Sequence, residues 1–208
     1  MNLRTTLLAA AATIGLMSAA NAVPITAGSK IDLNGFVQAT GSTTLQAATG
    51  LDFTTAAANT AGTGTPGPGV LSSYGGGTGT FAGLTCSTGS CGSIQDIASL
   101  VTGAQTITNF VSLSGGTNPN AVNFTLRSID SIGRGQPNFL TFTASGTITY
   151  DGFDATPGTF LFSAQGDRIT SFSGTTISAG SVATPEPASL AILSGSLAAL
   201  GLVRRRKA

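Results

Sequence analysis

The sequence predicts an all-β protein: an antiparallel β-sandwich body of jelly-roll-like kind, with an N-terminal signal peptide and a single C-terminal transmembrane helix. Three observations lead there. Short apolar series alternate residue by residue with hydroxyl side chains. Stretches rich in Gly, Ser and Thr separate them and read as turns. The longest apolar runs lie at the two ends, where they read as targeting segments.

The first element, residues 1–22 (MNLRTTLLAAAATIGLMSAANA), places Arg4 ahead of an apolar stretch from Leu7 to Ala20 and closes on Ala20-Asn21-Ala22. A cation, a short apolar core and a small-x-small ending are the three parts of a signal peptide cleaved after Ala22. The apolar core is too short for an ordinary membrane span, and Val23-Pro24 follows where a stop-transfer pattern would be needed. Residues 23–183 are then the exported, β-rich body.

Within the body, Ile31, Leu33, Gly35 and Val37 form one alternating series, and Leu45, Ala47, Leu51 and Phe53 another. Residues 61–80 read as a flexible loop by composition. Their glycines lack the Gly-Lys-Ser/Thr ending and the strand-to-helix context of a phosphate loop. Cys86 and Cys91, in CSTGSC, are expected to form a disulfide in an oxidising compartment. Closing so short a ring contributes roughly 2 kcal/mol by chain entropy. The redox alternative is weaker because the spacing is not Cys-x-x-Cys, and a metal site would need other Cys or His ligands, of which the chain has none. After Ser93, a suitable N-cap, Ile94, Ile97, Ala98 and Val101 recur at helical spacing and predict one helical turn.

Further strands are expected around Ile107, Val111 and Leu113, and around Val122, Phe124 and Leu126. The clearest alternation runs from Leu140 to Asp151: Leu140, Phe142, Ala144, Gly146, Ile148 and Tyr150 on one face, hydroxyls and Asp151 on the other. It predicts one strand, or two bent at Gly146, pairing across a Gly152–Gly158 turn with a strand from Thr159 to Gln165. A last strand is expected from Ile169 to Ile177. Phe, 11 residues against 2 Tyr and no Trp, is the expected core filler.

Charge narrows the function. Once both ends are set aside, Lys30, Arg127, Arg134 and Arg168 face seven aspartates, so the body is mildly acidic at minus three. No basic patch survives processing, which argues against a nucleic-acid partner. Histidine-dependent hydrolysis has no base, because the chain contains no His. The one glutamate, Glu186, lies in the tail, so a glycosidase-type acid pair would have to come from aspartates. Asp151 and Asp154 in DGFDATPG could bind calcium with backbone carbonyls, but a plain Asp/Gly turn is the preferred reading. Asn123-Phe124-Thr125 matches a glycosylation sequon but falls on an expected strand. No catalytic residue, metal site or cofactor is expected.

The tail, residues 184–208, has three parts: Pro185-Glu186-Pro187, an uncharged apolar run over residues 188–203, and a basic end of Arg204, Arg205, Arg206 and Lys207. As a helix the run would be about 24 Å long. That is somewhat short of a bilayer core, and flanking arginines can snorkel to extend it. The cations would keep that end in the cytoplasm. This order resembles the PEP-CTERM sorting signal. The resemblance implies recognition by an exosortase, a membrane-embedded thiol peptidase of Gram-negative bacteria, and an association with exopolysaccharide and biofilm. It implies that signal peptidase and exosortase act on the chain in turn. The protein would pass through an inner-membrane-anchored stage before reaching the cell surface or extracellular matrix. GTITYDGFDATPGTFLFSAQG, residues 146–166, is similar to a hairpin that recurs in the exported regions of such proteins, and Thr80 to Ile97 has a similar flavour. The leading expectation is a noncatalytic surface or matrix protein. A carbohydrate-binding module is the alternative, short of stacking aromatics with only Tyr74 and Tyr150; a polysaccharide-acting enzyme comes third.

Overall fold

The computed structural model describes residues 22–54, 68–88, 90–117, 121–135, 138–166 and 169–180. The strands are β1 (Val23–Pro24), β2 (Lys30–Thr40), β3 (Gly50–Thr54), β4 (Gly69–Val70), β5 (Ser73–Gly75), β6 (Gly92–Ile94), β7 (Gly103–Leu113), β8 (Val122–Gly133), β9 (Phe139–Tyr150), β10 (Phe153–Asp154), β11 (Thr156–Gln165) and β12 (Ile169–Ser178). Two short 3-10 turns, Leu45–Ala47 and Gly79–Phe81, are the only helical elements among the described residues. The expected signal peptide up to Asn21, and residues 181–208 with the whole expected sorting tail (184–208), lie outside the described residues.

One 10-stranded sheet, ordered β3-β2-β12-β11-β9-β8-β7-β6-β4 with β5 beside β2, carries the body. All its pairings are antiparallel. The path curls until its ends nearly meet, so its two layers are opposite walls of the same sheet. At one seam, Leu51 and Ile97 exchange backbone hydrogen bonds of 2.8 and 2.9 Å, Leu100 N–H donates to the Thr49 carbonyl at 2.7 Å, and Asp96 Oδ1 accepts from Phe53 N–H at 2.8 Å. At the other, residues 69–75 cross from β6, where Val70 pairs Ser93, to β2, where Tyr74 pairs Leu33.

Alternation sets the inside. Ile31, Leu33 and Val37 of β2, Leu140, Phe142, Ala144 and Ile148 of β9, and Phe160, Phe162 and Ala164 of β11 are all buried. β9 and β11 pair as the expected hairpin, with Phe142 opposite Phe162 and their rings stacked at 4.7 Å. Phe53 of β3 meets Phe110, Phe162 and Phe172 edge-on at 6.0, 6.0 and 5.2 Å, so rings from separate strands interlock across the interior. Each such ring contributes about 2–3 kcal/mol by burial, and edge-to-face geometry adds on the order of 1 kcal/mol.

Two local expectations are corrected, and one open alternative, at Gly146, is decided. The helical turn after Ser93 is absent: Ser93 and Ile94 belong to β6, and Gln95 and Ile97 give their N–H groups to Phe110 and Leu51. Ile94, Ile97 and Leu100 are buried because an extended segment crosses the seam, while Val101, meant for the same helical face, is 58% exposed. The composition-based loop over residues 61–80 holds structure from Pro68 onward, in β4, β5 and the Gly79–Phe81 turn. Gly69 serves close packing there, since a Cβ would lie 2.5 Å from the Phe53 backbone. β9 is continuous through Gly146, whose missing side chain lets β8 approach: a Cβ would meet the Thr125 carbonyl oxygen at 2.1 Å. Pairing with β8 slips by one residue there, from Leu126↔Gly146 to Ser128↔Ser145.

Two expected outcomes follow from this packing. Phe160→Asp, which places an unpaired charge in the core, should lower stability by several kcal/mol, whereas Thr149→Asp on the exposed face should leave it nearly unchanged. Chemical-denaturation midpoints of the two variants would show the contrast, and equal midpoints would mean the inward face is misassigned. Asp96→Ala, which strips the cap from the Phe53 N–H at the seam, should cost about 1–2 kcal/mol. Native-state hydrogen exchange should then show faster exchange at Phe53 than at Phe142 in the middle of the sheet.

Candidate functional site

The face opposite the core is the broadest chemically uniform surface of the body. Because β9 buries its even-numbered residues, Thr141, Thr143, Ser145, Thr147 and Thr149 point outward. The register sets these beside the outward residues of the neighbouring strands. One row runs Thr143, Leu161, Thr175, Asp32; the next runs Thr141, Ser163, Ser173, Asn34. Hydroxyls therefore repeat about every 4.8 Å across the strands and about every 6.8 Å along them. Leu161, 40% exposed, stands in the middle of this field.

Several of these groups are already ordered by one another. Thr175 Oγ1 donates to Asp32 Oδ1 at 2.7 Å, and Asn34 Nδ2 donates to Ser73 Oγ at 3.2 Å. Ser128 Oγ and Ser145 Oγ lie 2.7 Å apart, and both donate to Asp130 Oδ1, at 2.6 and 3.1 Å. A serine–aspartate group of this kind orients hydroxyls but does not make a nucleophile, because no imidazole stands between carboxylate and serine to take the proton. What the face can do is donate and accept hydrogen bonds with an uncharged, polyhydroxylated surface.

The remaining candidates sit as follows. The sulfurs of Cys86 and Cys91 are joined as a disulfide, with both residues buried. Asp151 lies in the turn after β9, and Asp154 lies on β10, which pairs in parallel with β1. Thr156 Oγ1 bonds the Asp154 carbonyl at 2.9 Å and accepts from Ile25 N–H at 3.1 Å. The DGFD segment is thereby accounted for as a turn and a docked strand, and among the described residues no group of three acidic or thiol ligands gathers. Asn123 lies half-buried within β8, paired to Ser112 and Thr149, and the Thr125 hydroxyl of its sequon accepts from Asn109 N–H at 3.3 Å. Tyr74 is buried with its hydroxyl on the Gly115 carbonyl at 2.6 Å, and Tyr150 is stacked on Phe153 at 5.3 Å. Tyr74 is thereby withheld from sugar stacking, and half-buried Tyr150 already has one ring face against Phe153. Ala22 is exposed immediately before β1; Ala20, Pro185, Glu186, Pro187 and Arg204 to Lys207 lie outside the described residues.

One role was not foreseen. The Arg134 guanidinium, in the loop after β8, donates to the carbonyls of Leu45, Gln46 and Ala48 at 3.4, 2.7 and 2.9 Å. It ties the β8–β9 loop to the 3-10 turn after β2. No local pattern could have announced this, since the partners are carbonyls nearly ninety positions away. Lys30 Nζ lies 3.8 Å from Asp32 Oδ2 at the start of β2, and Arg127 is exposed within β8. Single cations so dispersed do not form a basic patch.

Comparison with protein-family models, with curated proteins and with solved structures finds no match to this chain.

The disulfide yields a direct test. Exported protein denatured in a thiol-alkylating reagent without reductant should carry no label, and should gain two labels after reduction. Labelling at Cys86 and Cys91 before reduction would show that the pair is open in the native compartment.

Proposed function

We propose that the protein is a noncatalytic, exported surface or extracellular-matrix protein, delivered by signal peptidase at one end and an exosortase at the other. One observation carries this reading: the order of Pro185-Glu186-Pro187, sixteen uncharged residues and Arg204-Arg205-Arg206-Lys207, on a chain that begins with a signal peptide. Each part has a separable physical role. Two prolines hold an extended segment that a protease cleft can accept. The apolar run seats as a single helix in the inner membrane, and the cations stop transfer. After cleavage the body passes to the cell surface or matrix, in association with exopolysaccharide.

The body suits that destination. Its exposed face is rich in hydroxyls and poor in charge, so it can exchange hydrogen bonds with hydrated polysaccharide without ionic specificity. Its walls interlock through Phe53, Phe110 and Phe162, which supports the sandwich-like reading of the passenger. The same face also favours the second reading, a carbohydrate-binding module. That reading lacks an aromatic platform, and a glycan array probed with the purified body would separate the two.

The deciding experiment is Glu186→Ala in a host carrying an exosortase. The substitution leaves helix, cations and body intact, so the anchored full-length form should accumulate in the inner membrane. Removing Arg204 to Lys207 should act differently, by impairing insertion. Fractionation and intact mass report both outcomes. Release of the Glu186→Ala protein like the parent would reduce the tail to an ordinary anchor.

A further inference from the structure

The two ends of the described chain leave the body at the same pole. Gly28 N–H donates to the Ser178 carbonyl and Ser178 N–H to the Ser29 carbonyl, both at 2.9 Å, and the Ser178 hydroxyl bonds the Thr26 carbonyl at 2.6 Å. Ala179 N–H reaches the Pro157 carbonyl at 2.9 Å. On the same side, β1 pairs with β10 through Val23↔Phe153 and Pro24↔Asp154. This pole therefore gathers Val23–Pro24, Tyr150–Asp154 and Ser178–Gly180. The opposite pole holds the exits of β2, β8 and β11, where Gly166 N–H donates to the Asn138 carbonyl and Arg134 clasps the turn after β2. About 30 Å of strand separates the two.

The length of chain beyond Gly180 constrains what the first pole meets. Ala188, the first residue of the apolar run, lies eight residues on, a reach of at most about 28 Å when fully extended. We infer that, while the tail is seated in the bilayer, the pole formed by Val23–Pro24, Tyr150–Asp154 and Ser178–Gly180 faces the phospholipid headgroups and the opposite pole points away. The inference rests on the anchoring reading of the tail and adds the orientation of the body. The pole's own chemistry says what holds it there. Val23 is 63% exposed and the stacked Tyr150–Phe153 pair lies behind it, a small apolar and aromatic edge suited to an interface. Asp151 and Asp154 are exposed beside it, Lys30 at the same end is offset by Asp32 3.8 Å away, and the α-amino group left on Val23 by signal cleavage offsets only one of the two remaining charges. A pole with net negative charge gains nothing electrostatically from an anionic leaflet. Apart from that small apolar edge, the tail keeps the body at the membrane, and cutting it removes the main hold.

The orientation is measurable with the signal-cleaved chain, tail intact, in phosphatidylethanolamine/phosphatidylglycerol vesicles containing a headgroup-nitroxide lipid. The native cysteines are bonded to each other, so a fluorophore can be placed on Ala155→Cys at the first pole or on Thr43→Cys at the other, both exposed sites. The expected result is co-flotation of both proteins with vesicles, loss of fluorescence at position 155 and none at position 43. Inserting about twenty Gly/Ser residues after Gly180 should abolish the difference while preserving flotation. Flotation with equal loss at both positions, or greater loss at 43, overturns the orientation alone. Failure to float overturns the anchoring reading, and the orientation with it.

Discussion

The structure depends on covering the two end strands of its large sheet. A 10-stranded antiparallel sheet with open ends would present two rows of unsatisfied backbone groups to solvent and to other copies of the chain. Here the edge at β3 is taken up by residues 96–100 and the edge at β4 by the crossing to β2. The closing pieces are short and irregular, and glycines stand where backbone meets backbone: a Cβ on Gly50 would lie 2.6 Å from the Ile97 carbonyl oxygen, and one on Gly69 would lie 2.5 Å from the Phe53 backbone.

Closure in turn places Phe53. From its edge strand the ring reaches Phe162 and Phe172 on the facing wall and Phe110 beyond the seam. With no Trp in the chain and both tyrosines engaged, phenylalanine geometry does most of the work of holding the walls together. The disulfide ring at Cys86–Cys91 lies just before β6 and pins the segment that leads into the seam. Hydrophobic packing, edge satisfaction and the covalent clip thus act on one region.

The outside obeys a different economy. A sheet needs alternate residues facing solvent, and this chain fills most of those positions with Thr and Ser, which favour strands and carry no charge. A surface of that composition is soluble through hydroxyl hydration and indifferent to ionic partners. It is consistent with a body whose delivery is specified at the chain ends and whose contacts at the destination are many and weak.

Much of this was readable in the residues. Period-two alternation is a local property, so the inward and outward faces of β2, β9 and β11, the β9–β11 hairpin and the cysteine pair could be read directly. The hydroxyl face followed as the complement of the core. The chain ends, proposed as targeting segments, are likewise read from local patterns of charge and apolar length. Neighbour choice is not local. Any strand edge can bond any other, so the meeting of β2 with β12, the seam at Ile97 and the Arg134 clasp depend on partners far along the chain. Ile94, Ile97, Ala98 and Val101 show the limit: their spacing fits a helix, but Leu51 and Phe110 offered the backbone of this segment better hydrogen-bond partners than a helix could. Phe110 entered the core only because irregular pairing around Asn109, at φ 49°, turned it inward beside Val111. Sequence determined which residues seek burial; tertiary hydrogen bonding decided where the sheet closes and at which pole both ends emerge.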